Sequence, residues 1–68
     1  MKISARNQLH GTIVDIVKGA TTSHVRIDVS GAVVTASITN ESVDELKLKK
    51  GQKAHAIIKA SDVMIGVE

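Results

Sequence analysis

Three short stretches hold the residues of this chain that can do chemistry: Ser4-Ala5-Arg6-Asn7-Gln8, Thr39-Asn40-Glu41-Ser42 and Lys59-Ala60-Ser61. Arg6 is one of only two arginines, and the nearest carboxylate along the chain is Asp15. A guanidinium carries five N–H donors and accepts nothing, so an arginine flanked by a hydroxyl and an amide is a donor set without an acceptor. Thr39 and Ser42 place two hydroxyls at i and i+3 where a helix is expected to begin, beside free backbone N–H groups and their partial positive charge. Lys59 adds a second formal charge, and Ser61 and the local amides add neutral donors. Apart from Glu41 the inventory consists of donors. It suits a small tetrahedral oxyanion, which presents only lone pairs. A plainer reading stands beside it at this point: Thr39 caps the helix, Ser42 satisfies its own backbone, and Arg6 and Lys59 are simply solvated.

No catalytic constellation accompanies these residues. Asp15, Asp28, Asp44 and Asp62 are spread over different elements, and no histidine stands in a nucleophile–base spacing with a serine. His10, His24 and His55 are widely separated and form no ligand motif such as His-x3-His. An enzyme is therefore the least favoured class, and no catalytic cofactor is expected.

The elements that must position the donors read as strands punctuated by turns. Residues 9–18 are rich in β-branched side chains and end at Gly19. Residues 24–30 alternate, with Val25, Ile27 and Val29 on one face and Arg26 and Asp28 on the other. Ser30-Gly31 is a turn signal. Residues 32–39 form a third strand with Val34, Ala36 and Ile38 facing one way, and residues 53–60 and 63–67 complete five. Between the third and fourth strands a helix is predicted over about 40–47. Thr39 or Asn40 is its N-cap, Glu41, Asp44 and Glu45 sit toward its positive end, Val43 and Leu46 form its apolar stripe, and Gly51 is its stop. Five strands with a helix between the third and fourth is the order of an all-β, OB-like Greek-key barrel.

A chain of 68 residues allows one domain, residues 1–68, and buries only about 60% of its unfolded surface. Such a small core usually needs a disulfide, a structural metal or an oligomer interface. There is no cysteine, which removes the first and the thiolate form of the second and fits a reducing compartment. Pairs such as Ile13-Val14, Ile16-Val17, Val33-Val34 and Ile57-Ile58 put apolar residues on both faces of their strands, so one face is expected to be covered by a neighbouring copy. The first residues lack the apolar region of a signal peptide, and no apolar run approaches the ~20 residues that span a bilayer. A cytoplasmic protein without a membrane partner is expected. The net charge of +2 does not call for a polyanion but is compatible with a small anion. There is also no Phe, Tyr or Trp, so the stacking platforms on which single-stranded nucleic acid is held are missing.

At the donor stretches the sequence closely resembles the molybdate-binding Mop domain and, in length, the molbindins, small intracellular proteins made of that domain alone. SARNQLHGTI matches the opening S-A-R-N-Q-x-x-G-x-(I/V). SITNESVDELKLKKG matches I-(T/S)-x-x-S-x-x-x-L-x-(L/V)-x-x-G, and AIIKASDVMI matches x-x-(I/V)-K-(A/S)-(S/T)-x-V-x-(I/L/V). The three motifs occur in order at the proper spacing from residue 2 to 67.

The resemblance implies an OB-like barrel assembled as a hexamer, a trimer of dimers, with oxyanion sites between subunits. Carried over by position, one subunit supplies Ser4, Ala5 through its N–H, Arg6, Lys59 and Ala60 or Ser61, and its partner supplies Thr39 and Ser42. A second class of site near the threefold axis is matched only to Asn7 and His10. The implied ligand is molybdate or tungstate, and the implied role is storage and homeostasis of molybdenum. The same domain also occurs in a molybdate-responsive DNA-binding regulator and in an importer's ATPase subunit, but this chain has neither a P-loop nor room for a helix-turn-helix domain. The rival readings are an OB-type nucleic-acid-binding module, disfavoured by the missing aromatics, and a purely structural assembly subunit.

Overall fold

A computed structural model describes residues 1–68. Four strands form one antiparallel sheet: β1 (Asn7–Lys18), β2 (Thr22–Val29), β3 (Ala32–Thr39) and β4 (Lys53–Ile58), in the order β3-β2-β1-β4. The first three form a meander and the fourth returns beside the first, which is the Greek-key arrangement. A short helix, α1 (Asn40–Glu45), joins β3 to β4, and a 3-10 turn (Ala60–Asp62) follows β4.

β1 serves both halves of the sheet. Its residues 7–12 pair with β4, and its residues 12–18 pair with β2 across a bulge between Ile13 and Asp15. Such a bulge bends the strand and increases its twist, so the sheet curls. Gly11 lets β1 lie close on β2. A Cβ there would run into the Asp28 carbonyl and the side chains of Ile27 and Val29. Between β2 and β3, Ser30 (φ 56°) and Gly31 (φ 92°) make a two-residue turn with both φ positive, and the Asp28 carboxylate accepts the Gly31 N–H at 2.9 Å. The alternation read over 24–30 holds: Val25 and Ile27 are buried with Ile13, Val43 and Ala56 in the core, and Val29, Val34 and Ile38 pack against that cluster.

The expected five-stranded closed barrel is corrected to a four-stranded, open one. Residues 63–67 form no strand; Met64, Ile65 and Val67 are 92, 87 and 92% exposed. The β-branched Val63, Ile65 and Val67 favour extended backbone, but a strand also needs an edge to bond, and after the 3-10 turn this segment pairs with none in its own chain. The sheet is therefore left open between its edge strands β3 and β4. An apolar groove lined by Val34, Ile38, Leu46, Leu48, Ala56 and Ile58 runs between them.

The helix is also shorter than the predicted 40–47. Lys47 adopts φ 53°, the Leu48 N–H donates to the Val43 carbonyl at 3.0 Å, and the Lys47 N–H donates to the Asp44 carbonyl at 3.1 Å. This is a Schellman ending with lysine at the left-handed position usually taken by glycine, and Leu48 folds back onto the core beside Val43. Gly51 (φ 90°) instead shapes the approach to β4, where its N–H and the Gln52 carbonyl bond to the Ile13 backbone. Leu46, expected on the helix's apolar stripe, is exposed at the rim of the groove.

Candidate functional site

The β1–β4 ladder brings the first and third donor stretches together. Asn7 pairs with Ile58, so Arg6 and Lys59 extend from the same end of two adjacent strands. The junction is fixed from inside. The Asn7 side-chain amide donates to the Ile58 carbonyl at 3.2 Å, the Gln8 amide donates to the Ala5 carbonyl at 3.3 Å, and Ala5 itself is buried. Ser4, Arg6, Lys59, Ala60 and Ser61 are exposed.

The donors at this end are unspent. The only ion pairs in the chain are Lys18–Asp44 at 3.1 Å and Arg26–Asp15 at 3.0 Å, so neither Arg6 nor Lys59 has a carboxylate partner. The other arginine, Arg26, has the partner that Arg6 lacks. The Ala5 N–H takes no part in the turn and loop backbone bonds, and the 3-10 turn uses only the Asp62 and Val63 N–H groups, leaving those of Ala60 and Ser61. Two neighbouring cations without a counter-charge repel each other, and an anion seated between them would relieve that repulsion.

The second stretch stands at the opposite end of the sheet. Thr39 pairs with Thr22, and the neighbouring Ser23 pairs with Lys18 at the far end of β1. From Asn7 to Lys18 the strand contour is about 35 Å, so the fold does not bring Thr39 and Ser42 to Arg6 and Lys59 within one chain. At the head of α1, Thr39 Oγ1 accepts the Ser42 N–H at 3.0 Å and donates to Ser42 Oγ at 2.9 Å. Two of the backbone N–H groups expected to be free there are thus spent, that of Ser42 on Thr39 and that of Asn40 on the Thr21 carbonyl at 2.9 Å. What stays available is the hydroxyl proton of the half-buried Ser42, because Thr39 has already committed its own.

Beneath this pair lies Ser23, which has no place among the expected donors, bonded to Asn40 of the second stretch. Ser23 is fully buried and donates to the Asn40 side-chain carbonyl at 2.5 Å. The Asn40 amide nitrogen donates to the carbonyls of Gly19 (3.1 Å) and Ala20 (3.4 Å). The signal in the sequence was the inward run Ser23-Val25-Ile27, whose polar first member must find a buried acceptor.

Asn7 and His10 are three apart on β1 and therefore face opposite sides of the sheet; one chain does not bring their side chains together. His10 packs edge-on against His55, its partner on β4, with ring centroids 4.3 Å apart. No group of three or more His, Cys, Asp or Glu side chains is placed to hold a metal ion, and no helix is long and apolar enough to cross a membrane.

Comparison with known proteins gives a consistent result. Residues 3–65 match the family model described as TOBE domain. A probable molybdenum-pterin-binding protein of Haemophilus influenzae is 49% identical over 69 residues, covering the whole of both chains. The structure of a molybdate-binding protein from Sporomusa ovata superposes with a TM-score of 0.93 at 39% identity, covering 98% of this chain and all of the other. The cytoplasmic molybdate-binding protein ModG, solved with molybdate bound, gives a TM-score of 0.93 at 43% identity; it covers all of this chain, which spans 49% of ModG. These matches make the fold all-β and OB-like, with relatives that are binding proteins. The chain belongs to the TOBE-domain family and, within it, to the small Mop proteins of the molbindin type.

Proposed function

We propose that this protein is a cytoplasmic molybdate-binding protein that stores and buffers the oxyanion, with no enzymatic activity, and that it also takes tungstate, which has the same charge and shape. The site is shared between copies. Ser4, the Ala5 N–H, Arg6, Lys59 and the donors of Ala60 or Ser61 come from one subunit, and its partner supplies Thr39 and Ser42, with Ser42 giving its proton to the anion and Thr39 donating to Ser42 from behind. Two cations balance the dianion, and hydroxyl and amide donors meet its oxygens. Charge-assisted bonds of this kind are about twice as strong as neutral ones.

One observation carries the reading: the two donor groups stand at opposite ends of β1, and the charged one has no partner in its own chain. Assembly has independent support. The groove between β3 and β4 is apolar and open, while the segment that was expected to close it is exposed. A hexamer built as a trimer of dimers is the form proposed for the assembly. Asn7 and His10, on opposite faces of β1, serve a second class of site only where separate copies supply them. Relatives are also named for molybdenum-pterin. The absence of Phe, Tyr and Trp, the large rings that would stack on a pterin, favours the bare oxyanion.

The test is calorimetry of the purified protein with molybdate, tungstate and sulfate, followed by subunit mixing. Molybdate is expected to bind more tightly than sulfate and to stabilise the folded protein by RT ln(1 + [L]/Kd), about 2.7 kcal/mol at a hundredfold excess over Kd, which raises the melting temperature. Arg6→Ala and Ser42→Ala subunits each weaken every site in their own oligomers. Mixed dimers of the two contain one doubly damaged and one intact site, so binding of wild-type affinity reappears after exchange. Its failure to reappear removes the shared site, and absence of heat with molybdate removes the function.

A further inference from the structure

The fully buried Ser23 and its acceptor Asn40 have no role in the ligand set, yet they are bonded more completely than any other side-chain pair in the molecule. Asn40 lies between Thr39 and Ser42, and all of its side-chain bonds run away from them, to the start of β2 and the turn before it. Its carbonyl accepts from Ser23, its amide donates to the Gly19 and Ala20 carbonyls, and its backbone N–H donates to Thr21. The turn that receives these bonds is itself tight: the Gly19 N–H donates to the Thr22 carbonyl at 2.7 Å, and a Cβ on Gly19 would stand 2.9 Å from that same oxygen. Two further ties hold the helix from other sides, Val43 in the core and the Lys18–Asp44 ion pair.

A helix of six residues has little stability of its own, so the place of its first residues is set by such ties. We infer that Asn40, held by Ser23, is a positioning residue of the oxyanion site: it fixes where the Ser42 hydroxyl stands and so contributes to discrimination between molybdate and the smaller sulfate. The inference rests on the shared-site reading above. Discrimination between two tetrahedral dianions of equal charge must come from the spacing of donors, because a donor that follows a smaller anion inward pays no penalty for the change of size. The Thr39–Ser42 hydroxyl pair could move with α1 if the helix were tethered only at its far end. The Asn40 bonds prevent that movement without touching the ligand.

The experiment is titration calorimetry of the assembled protein with molybdate and with sulfate, well below the melting temperature of each variant. The variants are Asn40→Ala, Ser23→Ala, Ser42→Ala and the double variant Asn40→Ala/Ser42→Ala. Asn40→Ala is expected to weaken molybdate binding by about fivefold to tenfold and to narrow the molybdate-to-sulfate ratio by a similar factor. Ser23→Ala, which leaves the Asn40 carbonyl without its buried donor, should act in the same direction by a smaller factor and serves if Asn40→Ala does not fold. Once Ser42→Ala has removed the hydroxyl, adding Asn40→Ala should cost little further affinity, because the group being positioned is gone. A role confined to stability would lower the melting temperature in every background and leave both affinities of the folded protein unchanged; that result, with Ser42→Ala still weakening binding, overturns the positioning role alone. If Ser42→Ala itself binds molybdate as the wild type does, the shared-site reading fails first.

Discussion

At the Asn7 end of β1, Arg6 and Lys59 make no ion pair with their own chain. At the Lys18 end, the side chains of Ser23, Thr39 and Asn40 and the N–H groups of Asn40 and Ser42 are all bonded within the chain, and the Ser42 hydroxyl keeps its proton to give. The difference follows from the groups concerned. A guanidinium or an ammonium can wait in water for an anion, because solvent screens it and its stem is long enough to reach. A serine hydroxyl is short and contributes a single neutral bond, so it is useful only where the backbone already holds it. One half of the proposed site thus supplies charge with little preorganisation, and the other supplies geometry with no charge.

The comparison is broken most severely by separating the halves. A chain ending at Asp62 lacks the exposed apolar residues Val63, Met64, Ile65 and Val67; it is expected to lose assembly and about two decades or more of molybdate affinity. Light scattering and calorimetry read the two effects together. A monodisperse, folded monomer that still binds at wild-type affinity would show both halves to lie in one chain.

Arg6→Ala comes next. Loss of one charge-assisted bond costs about 1.5–3 kcal/mol, or one to two decades in molybdate Kd, with the apo melting temperature nearly unchanged because Arg6 pairs with nothing in its own chain. A variant that melts early but binds normally when folded would make Arg6 a structural residue.

Ser42→Ala should cost about 1 kcal/mol of binding, the worth of one neutral hydrogen bond. The apo protein should keep its stability to within a few tenths of a kcal/mol, since Thr39 Oγ1 still accepts the backbone N–H of residue 42. Comparing this loss with that of Arg6→Ala measures the contrast between the two halves directly.

The smallest effect is expected at the other arginine. Arg26–Asp15 is an exposed pair between neighbouring strands, so Arg26→Ala should change stability by about 0–1 kcal/mol and molybdate affinity not at all. A binding loss there equal to that of Arg6→Ala would mean that bulk positive charge, rather than a placed guanidinium, attracts the anion.

Much of this was legible in the chain. The alternation Val25-Ile27-Val29 is a local property of the pleat, and Ser30-Gly31 is a local turn preference; both appear where they were read. The helix over 40–47 was overextended because Gly51 is a strong stop signal, whereas the actual stop, Lys47 in the left-handed region, depends on Leu48 reaching the core. The strand over 63–67 failed for a related reason. Its β-branched side chains state a preference for extended backbone but cannot state which edge will accept it. The Ser23–Asn40 bond was not legible because each residue is ordinary in its own context, a strand serine and a candidate cap asparagine, and the two stand 17 residues apart.

By itself the sequence determined the inventory: donors rather than acid–base pairs, no aromatic platform, no thiol, and motifs whose order and spacing match one family over almost the whole chain. These are properties of composition and local spacing, and they survive whatever path the backbone takes. Only the tertiary structure decided the grouping of those donors. The register of β1 with β4 sets Arg6 beside Lys59, and the register of β1 through β2 to β3 carries Thr39 and Ser42 to the far end. Strand register is a long-range property, set by which faces are buried and where the bulge falls, so residues that belong to one proposed site stand at opposite ends of a single chain.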